Sequence, residues 1–71
     1  MNEKMYKVVM EILKENGEMK KSDLIYKLVE KKYPIRKIWE YIDALVDLGI
    51  IEDEKRENVV YVRLKEVNKN E

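Results

Sequence analysis

The chain has 71 residues, 45% apolar and 42% charged, and its 15 basic residues balance its 15 acidic ones to a formal net charge of zero. That length suits one small domain with one core, and the composition fits neither a low-hydrophobicity disordered chain nor a bilayer span, which needs about 20 uninterrupted apolar residues. Cysteine and histidine are both absent, which removes disulfides, thiolate zinc sites and the commonest neutral-pH base.

The opening Met1-Asn2-Glu3-Lys4 lacks the basic-then-apolar pattern of a secretory signal, so a cytoplasmic location is expected. Met5, Val8, Val9, Ile12 and Leu13 then recur at the spacing that lines one face of a helix, roughly Glu3 to Asn16, and Gly17 suits its left-handed terminator. Glu18-Met19-Lys20 reads as an extended stub that buries Met19. Ser22 is placed to cap a second helix, with Asp23 at the positive end of its dipole and Leu24, Ile25, Leu28 and Val29 on its buried face. Lys31-Lys32-Tyr33-Pro34 ends that helix, because a residue before proline is pushed out of helical geometry, while Pro34 suits the first turn of the next.

A third helix, about Pro34 to Leu48, is expected to bury Ile35, Ile38, Ile42, Leu45 and Val46 and to stop at Gly49. Its outward residues include Arg36, Lys37, Glu40, Asp43 and Asp47. Beyond Gly49 the period changes. Ile50-Ile51 leads into the polar run 52–58, and Val59-Val60-Tyr61-Val62-Arg63-Leu64 is rich in β-formers, which together read as a two-stranded hairpin with a charged tip. Residues 1–64 form the domain and 65–71, with one apolar residue, a frayed tail. Tyr6, Tyr26, Tyr33, Tyr41 and Tyr61 are scattered one or two per element and read as core rims with wet hydroxyls rather than a base-stacking platform.

Charge is unevenly placed. Between Lys20 and Lys37 seven basic residues (Lys20, Lys21, Lys27, Lys31, Lys32, Arg36, Lys37) meet two acids, Asp23 and Glu30. Acids gather later, at Asp43, Asp47, Glu52, Asp53, Glu54 and Glu57. The folded molecule should therefore be polarised, with its basic pole on the second helix and the start of the third. The prevalence of Lys, Glu, Ile and Val, with no glutamine, is a bias reported for hyperthermophile proteins.

Helix, short strand, helix, turn, helix, hairpin is an α+β order, and residues 22–64 resemble the winged-helix form of the helix-turn-helix superfamily. Ser22-Asp23-Leu24-Ile25 opening the second helix, Ile38, Ile42 and Leu45 inside the third, and the join Leu45-Val46-Asp47-Leu48-Gly49-Ile50-Ile51 carry the likeness. It implies three helices with a short strand and a two-stranded wing. It also implies double-stranded DNA as the partner and transcriptional regulation as the role, with the third helix in the major groove and the second helix and wing on phosphates. Carried over by position, Arg36, Lys37 and Glu40 face the groove, Lys20, Lys21 and Ser22 meet the backbone, and Lys55 and Arg56 on the wing reach phosphate or the minor groove. Trp39 lies either beside Ile35, Ile42 and Val46 as a half-buried core aromatic or beside Arg36 and Glu40 on the recognition surface.

The acids surrounding Lys55 and Arg56 point to pairing within the wing and keep a second class open, a winged helix that binds a protein partner through the same surfaces. Small regulators of this kind commonly pair about a two-fold axis, so a homodimer is compatible with the sequence, as is a monomer. Catalysis has little material: Ser22 has no histidine partner, Glu52-Asp53-Glu54 lacks the loop of a calcium site, and no glycine-rich phosphate loop exists. Neither an enzyme nor a cofactor or metal is expected.

Overall fold

The computed structural model describes residues 3–65. Met5, Val9, Ile12 and Leu13 form the buried stripe of α1 (Glu3–Asn16), as the spacing predicts. The helix closes on Gly17, whose N–H donates to the Leu13 carbonyl at 2.8 Å with φ at +67°. Two residues on, the stub becomes β1 (Met19–Lys20), with Met19 in the core.

β1 sets where α2 (Lys21–Glu30) begins. Pairing of Lys20 with Tyr61 keeps the chain extended to Lys20 (φ −67°, ψ 139°), so the helix starts directly off the strand. Ser22 therefore falls inside the first turn and is exposed, and no side chain caps the helix. The expected Ser22 cap is not formed, because a strand pairing remote in sequence fixes the helix start. Leu24, Ile25 and Leu28 are buried as expected, but Val29 is 40% exposed. It follows Leu28, whose side chain points straight into the core, and each residue turns the helix face by about 100°.

The α2 terminus is a Schellman closure: the Lys32 N–H reaches the Val29 carbonyl at 2.9 Å and the Tyr33 N–H the Leu28 carbonyl at 3.3 Å. Lys32 occupies the left-handed position, at φ +75°, where glycine is usual. α3 (Ile35–Asp47) ends in the same way, with Gly49 N–H on the Val46 carbonyl and Ile50 N–H on the Leu45 carbonyl, both at 3.0 Å. Here Gly49 supplies φ +79° without strain. Pro34 stands just before α3 as its cap residue, and its carbonyl accepts the first helical bond from the Ile38 N–H at 3.0 Å.

Ile38, Ile42 and Leu45 are fully buried, and Val46 packs against the core from a half-buried position. Two expectations on this helix fail. Ile35 is 58% exposed although it sits only about 60° round the helix from buried Ile38, so the apolar period alone does not carry it into the core. Tyr41, read as a rim residue, is instead buried with the core, and burial raises its phenol above the usual range.

β2 (Ile51–Arg56) and β3 (Val59–Leu64) pair in full register from Ile51 with Leu64 to Arg56 with Val59. Most of the polar run is thus strand. The connection is only Glu57-Asn58, at φ +49° and +71°, the two left-handed residues of a tight hairpin turn. β3 also pairs with β1, giving an antiparallel sheet in the order β1-β3-β2. Met19, Ile51 and Val62 face inward onto the helices. The result is an α+β fold in the winged helix-turn-helix layout, with α2, turn and α3 beside a two-stranded wing. Of the expected tail, Lys65 still donates its N–H to the Ile50 carbonyl at 3.0 Å, and residues 66–71 lie outside the described ones.

Candidate nucleic-acid interface

With Ile38 pointing to the core, a 100° step per residue places Arg36, Glu40 and Asp43 on the solvent side of α3 and Trp39 at its edge; Ile35, one turn before Trp39 on the flank nearer the core, is exposed as well. These positions form one continuous face over the first turns of the helix. Lys37 does not share it. It lies on the flank away from Trp39, lining a groove of about 660 Å³ with Met5, Tyr33, Pro34, Tyr41 and Ala44, and Glu40, between the two flanks, borders that groove too. Asp47 is also exposed but sits at the far end of α3, about 16 Å along the axis from Arg36.

Trp39 is not a core residue. It is 45% exposed, on the face shared with Arg36 and Glu40. The Lys21 ammonium lies over its ring, 4.7 Å from the centroid, and sits 3.7 Å from an Asp43 carboxylate oxygen. Lys21, with a side chain only 16% exposed, therefore ties the start of α2 to the middle of α3. One contact stacks a cation on an aromatic face and the other offsets the acid nearest that face. The winged-helix resemblance implied a phosphate contact for Lys21 and did not reveal this bridge, since the two helices meet only through the fold.

Beside Trp39, a groove of about 370 Å³ runs between α3, the start of α2 and the wing tip, lined by Lys20, Lys21, Ser22, Ile25, Trp39 and residues 58–60. The structure thus brings Lys20, Lys21, Ser22 and Trp39 together, with Arg36 and Glu40 adjacent on α3. Lys55 and Arg56 do not act as a pair. Alternation along β2 sends them to opposite faces of the sheet.

The outer face of the sheet is an ion-pair network. The Arg63 guanidinium donates to Glu52 and Glu18 at 3.0 Å and to Glu54 at 3.1 Å. Arg56 lies 2.7 Å from Glu18 and stacks over Tyr61 at 4.0 Å. The Arg56 hydrogen bond, reinforced by Arg63, holds the Glu18 carboxyl below its ordinary value of 4.5. Arg56 is accordingly engaged, chiefly by Glu18 from outside the wing and at 3.7 Å by the wing's Glu54, whereas Lys55, expected to pair with the same acids, makes no ion pair among the described residues. Glu18, its closest partner, comes from the turn before β1 and could have been found only from the β1–β3 pairing.

Among the described residues Arg36, Lys37, Lys20 and Lys55 make no ion pair, and no group of three or more carboxylates is arranged to hold a metal. No described helix is long and apolar enough to cross a membrane. No family model, curated protein or solved structure matches the chain.

Proposed function

We propose that this winged-helix domain binds double-stranded DNA, as a small cytoplasmic transcriptional regulator, by setting the first turns of α3 into the major groove. The observation that carries this reading is the exposed start of α3, where Arg36 has no ion-pair partner among the described residues and the first turn has no acid. In that position a guanidinium presents paired donors to guanine O6 and N7. Lys20 and Ser22, at the uncapped start of α2, flank the groove where helix-end amides favour phosphate. Lys55, on the wing face opposite the ion-pair network, has no ion-pair partner among the described residues and is turned to the DNA backbone.

The acids on this surface have separate accounts. Asp43 is offset by Lys21, Asp47 lies at the end of α3 that points away from the bases, and Glu40 has the geometry to accept from a cytosine N4 amine. The wing contributes little, because Arg56 is held by Glu18. Two copies related by a two-fold axis would present their α3 helices about 34 Å apart, one turn of DNA.

A protein partner on the same surface is the second reading, and the exposure of Ile35 and Trp39 favours it. Titrating a labelled duplex over roughly 50 to 200 mM salt separates the two. The DNA reading expects affinity to fall steeply with salt, and Arg36→Ala to weaken binding while the fold persists. Absence of binding at low salt, where even non-specific contact appears, leaves the protein reading.

A further inference from the structure

Two large apolar side chains stand in solvent along one flank of α3: Ile35 is 58% and Trp39 45% exposed, while Ile38, Ile42 and Leu45 on the same helix are fully buried. They are four residues apart, so they are neighbours along one flank, and Arg36 follows Ile35 directly. The Trp39 ring has neighbours on its inner side. Lys21 covers one face at 4.7 Å, and the ring borders the groove walled by Ile25 and the start of β3.

Resting on the DNA reading above, we propose that this strip reads thymine: Ile35 and the open edge of Trp39 pack on C5-methyl groups while Arg36 binds the neighbouring guanine. The major groove distinguishes thymine from cytosine by that methyl and by the reversal of the hydrogen-bonding group beside it, and apolar side chains are what recognise a methyl. Three cations, Lys20, Lys21 and Arg36, against two acids, Glu40 and Asp43, favour DNA as the occupant. Arg36 at the strip and Lys20 at its border have no ion-pair partner among the described residues, and of the two acids on the Trp39 face Asp43 lies 3.7 Å from Lys21 while Glu40 is positioned to accept from a base amine. A groove-facing helix that read only phosphate and guanine would not need isoleucine and tryptophan in solvent.

The probes are two duplexes of about two helical turns, one alternating guanine and thymine against its complement, the other with every thymine replaced by deoxyuracil. Length, charge and pairing are the same, and only the methyl groups differ. Burial of one methyl corresponds to about fourfold in affinity, so the thymine duplex should bind at least about fourfold more tightly, with an unchanged salt slope. Ile35→Ala, at an exposed position that should not unfold the domain, should bring the ratio toward one by weakening only the thymine complex. Trp39→Leu, which keeps an apolar group, should reduce the ratio less. Equal binding of the two duplexes overturns the thymine reading and leaves DNA binding standing. Binding of neither at low salt overturns both, and gives the strip to a protein partner.

Discussion

Lys21 is the joint of the helix-turn-helix, and replacing it with methionine tests whether its two contacts matter. The substitution keeps the aliphatic stem and removes the charge. Its side chain is only 16% exposed and its ammonium lies 4.7 Å from the Trp39 centroid, so the cation–π contact should exceed the lower end of its range, about 0.5–1 kcal/mol at exposed sites. Its 3.7 Å pair with Asp43, whose side chain is 67% exposed, belongs at the weak end, a few tenths of about 1 kcal/mol. Together they give a loss of about 1 kcal/mol, or about 4–8 °C in melting temperature for a domain of this size. Urea melts of the wild type, Lys21→Met, Trp39→Leu and the double variant measure the coupling directly. A Lys21→Met variant as stable as the wild type, with additive changes in the cycle, would refute the joint.

Four further outcomes follow from the geometry. Leu45→Ala should cost about 2–5 kcal/mol, a large part of the roughly 4–11 kcal/mol available to a chain of this length, and a urea midpoint close to the wild type would contradict its central place in the core. Lys32→Gly should stabilise by about 0.5–1 kcal/mol, because φ of +75° strains a side-chain-bearing residue; a lower melting temperature would refute the left-handed closure of α2. Gly49→Ala should destabilise by about 1 kcal/mol although a new Cβ would meet nothing nearer than the Lys65 ammonium at 3.9 Å, so thermal melting separates backbone strain from crowding. Glu18 has a folded value below 4.5 and so contributes stability that is complete above its unfolded value and lost as pH falls through the folded one. Stability measured down an acid series should therefore drop less in Glu18→Gln than in the wild type, and parallel curves would remove Glu18 from the wing network.

The elements were legible in the sequence wherever local pattern decides them. The apolar spacing of α1, Gly17 and Gly49 as left-handed terminators, and the β-formers of residues 59–64 each act within a few residues. What the sequence concealed depends on meetings between distant segments. Ser22 looks like a cap only until β1 pairs with β3 and moves the helix start to Lys21. Ile35 belongs to the apolar period of α3, yet period alone does not say where packing along a helix begins. Of the candidate site, the sequence showed which residues are exposed: Arg36, Glu40, Lys20 and Ser22 are all at the surface. Lys37 lies on another flank, and the bridging of Lys21 to Asp43 and of Arg56 to Glu18 appears only after the helices and sheet are assembled.

Backbone amide shifts recorded while an unlabelled duplex is titrated into the labelled protein test groove insertion most directly. Insertion of α3 expects the largest changes at residues 35–40, with smaller ones at 20–22 and near Lys55, and little change at Glu52, Glu54 and Arg63 on the locked outer face. Changes centred on that outer face or on the Met5 and Tyr41 flank, or none at low salt, would contradict it.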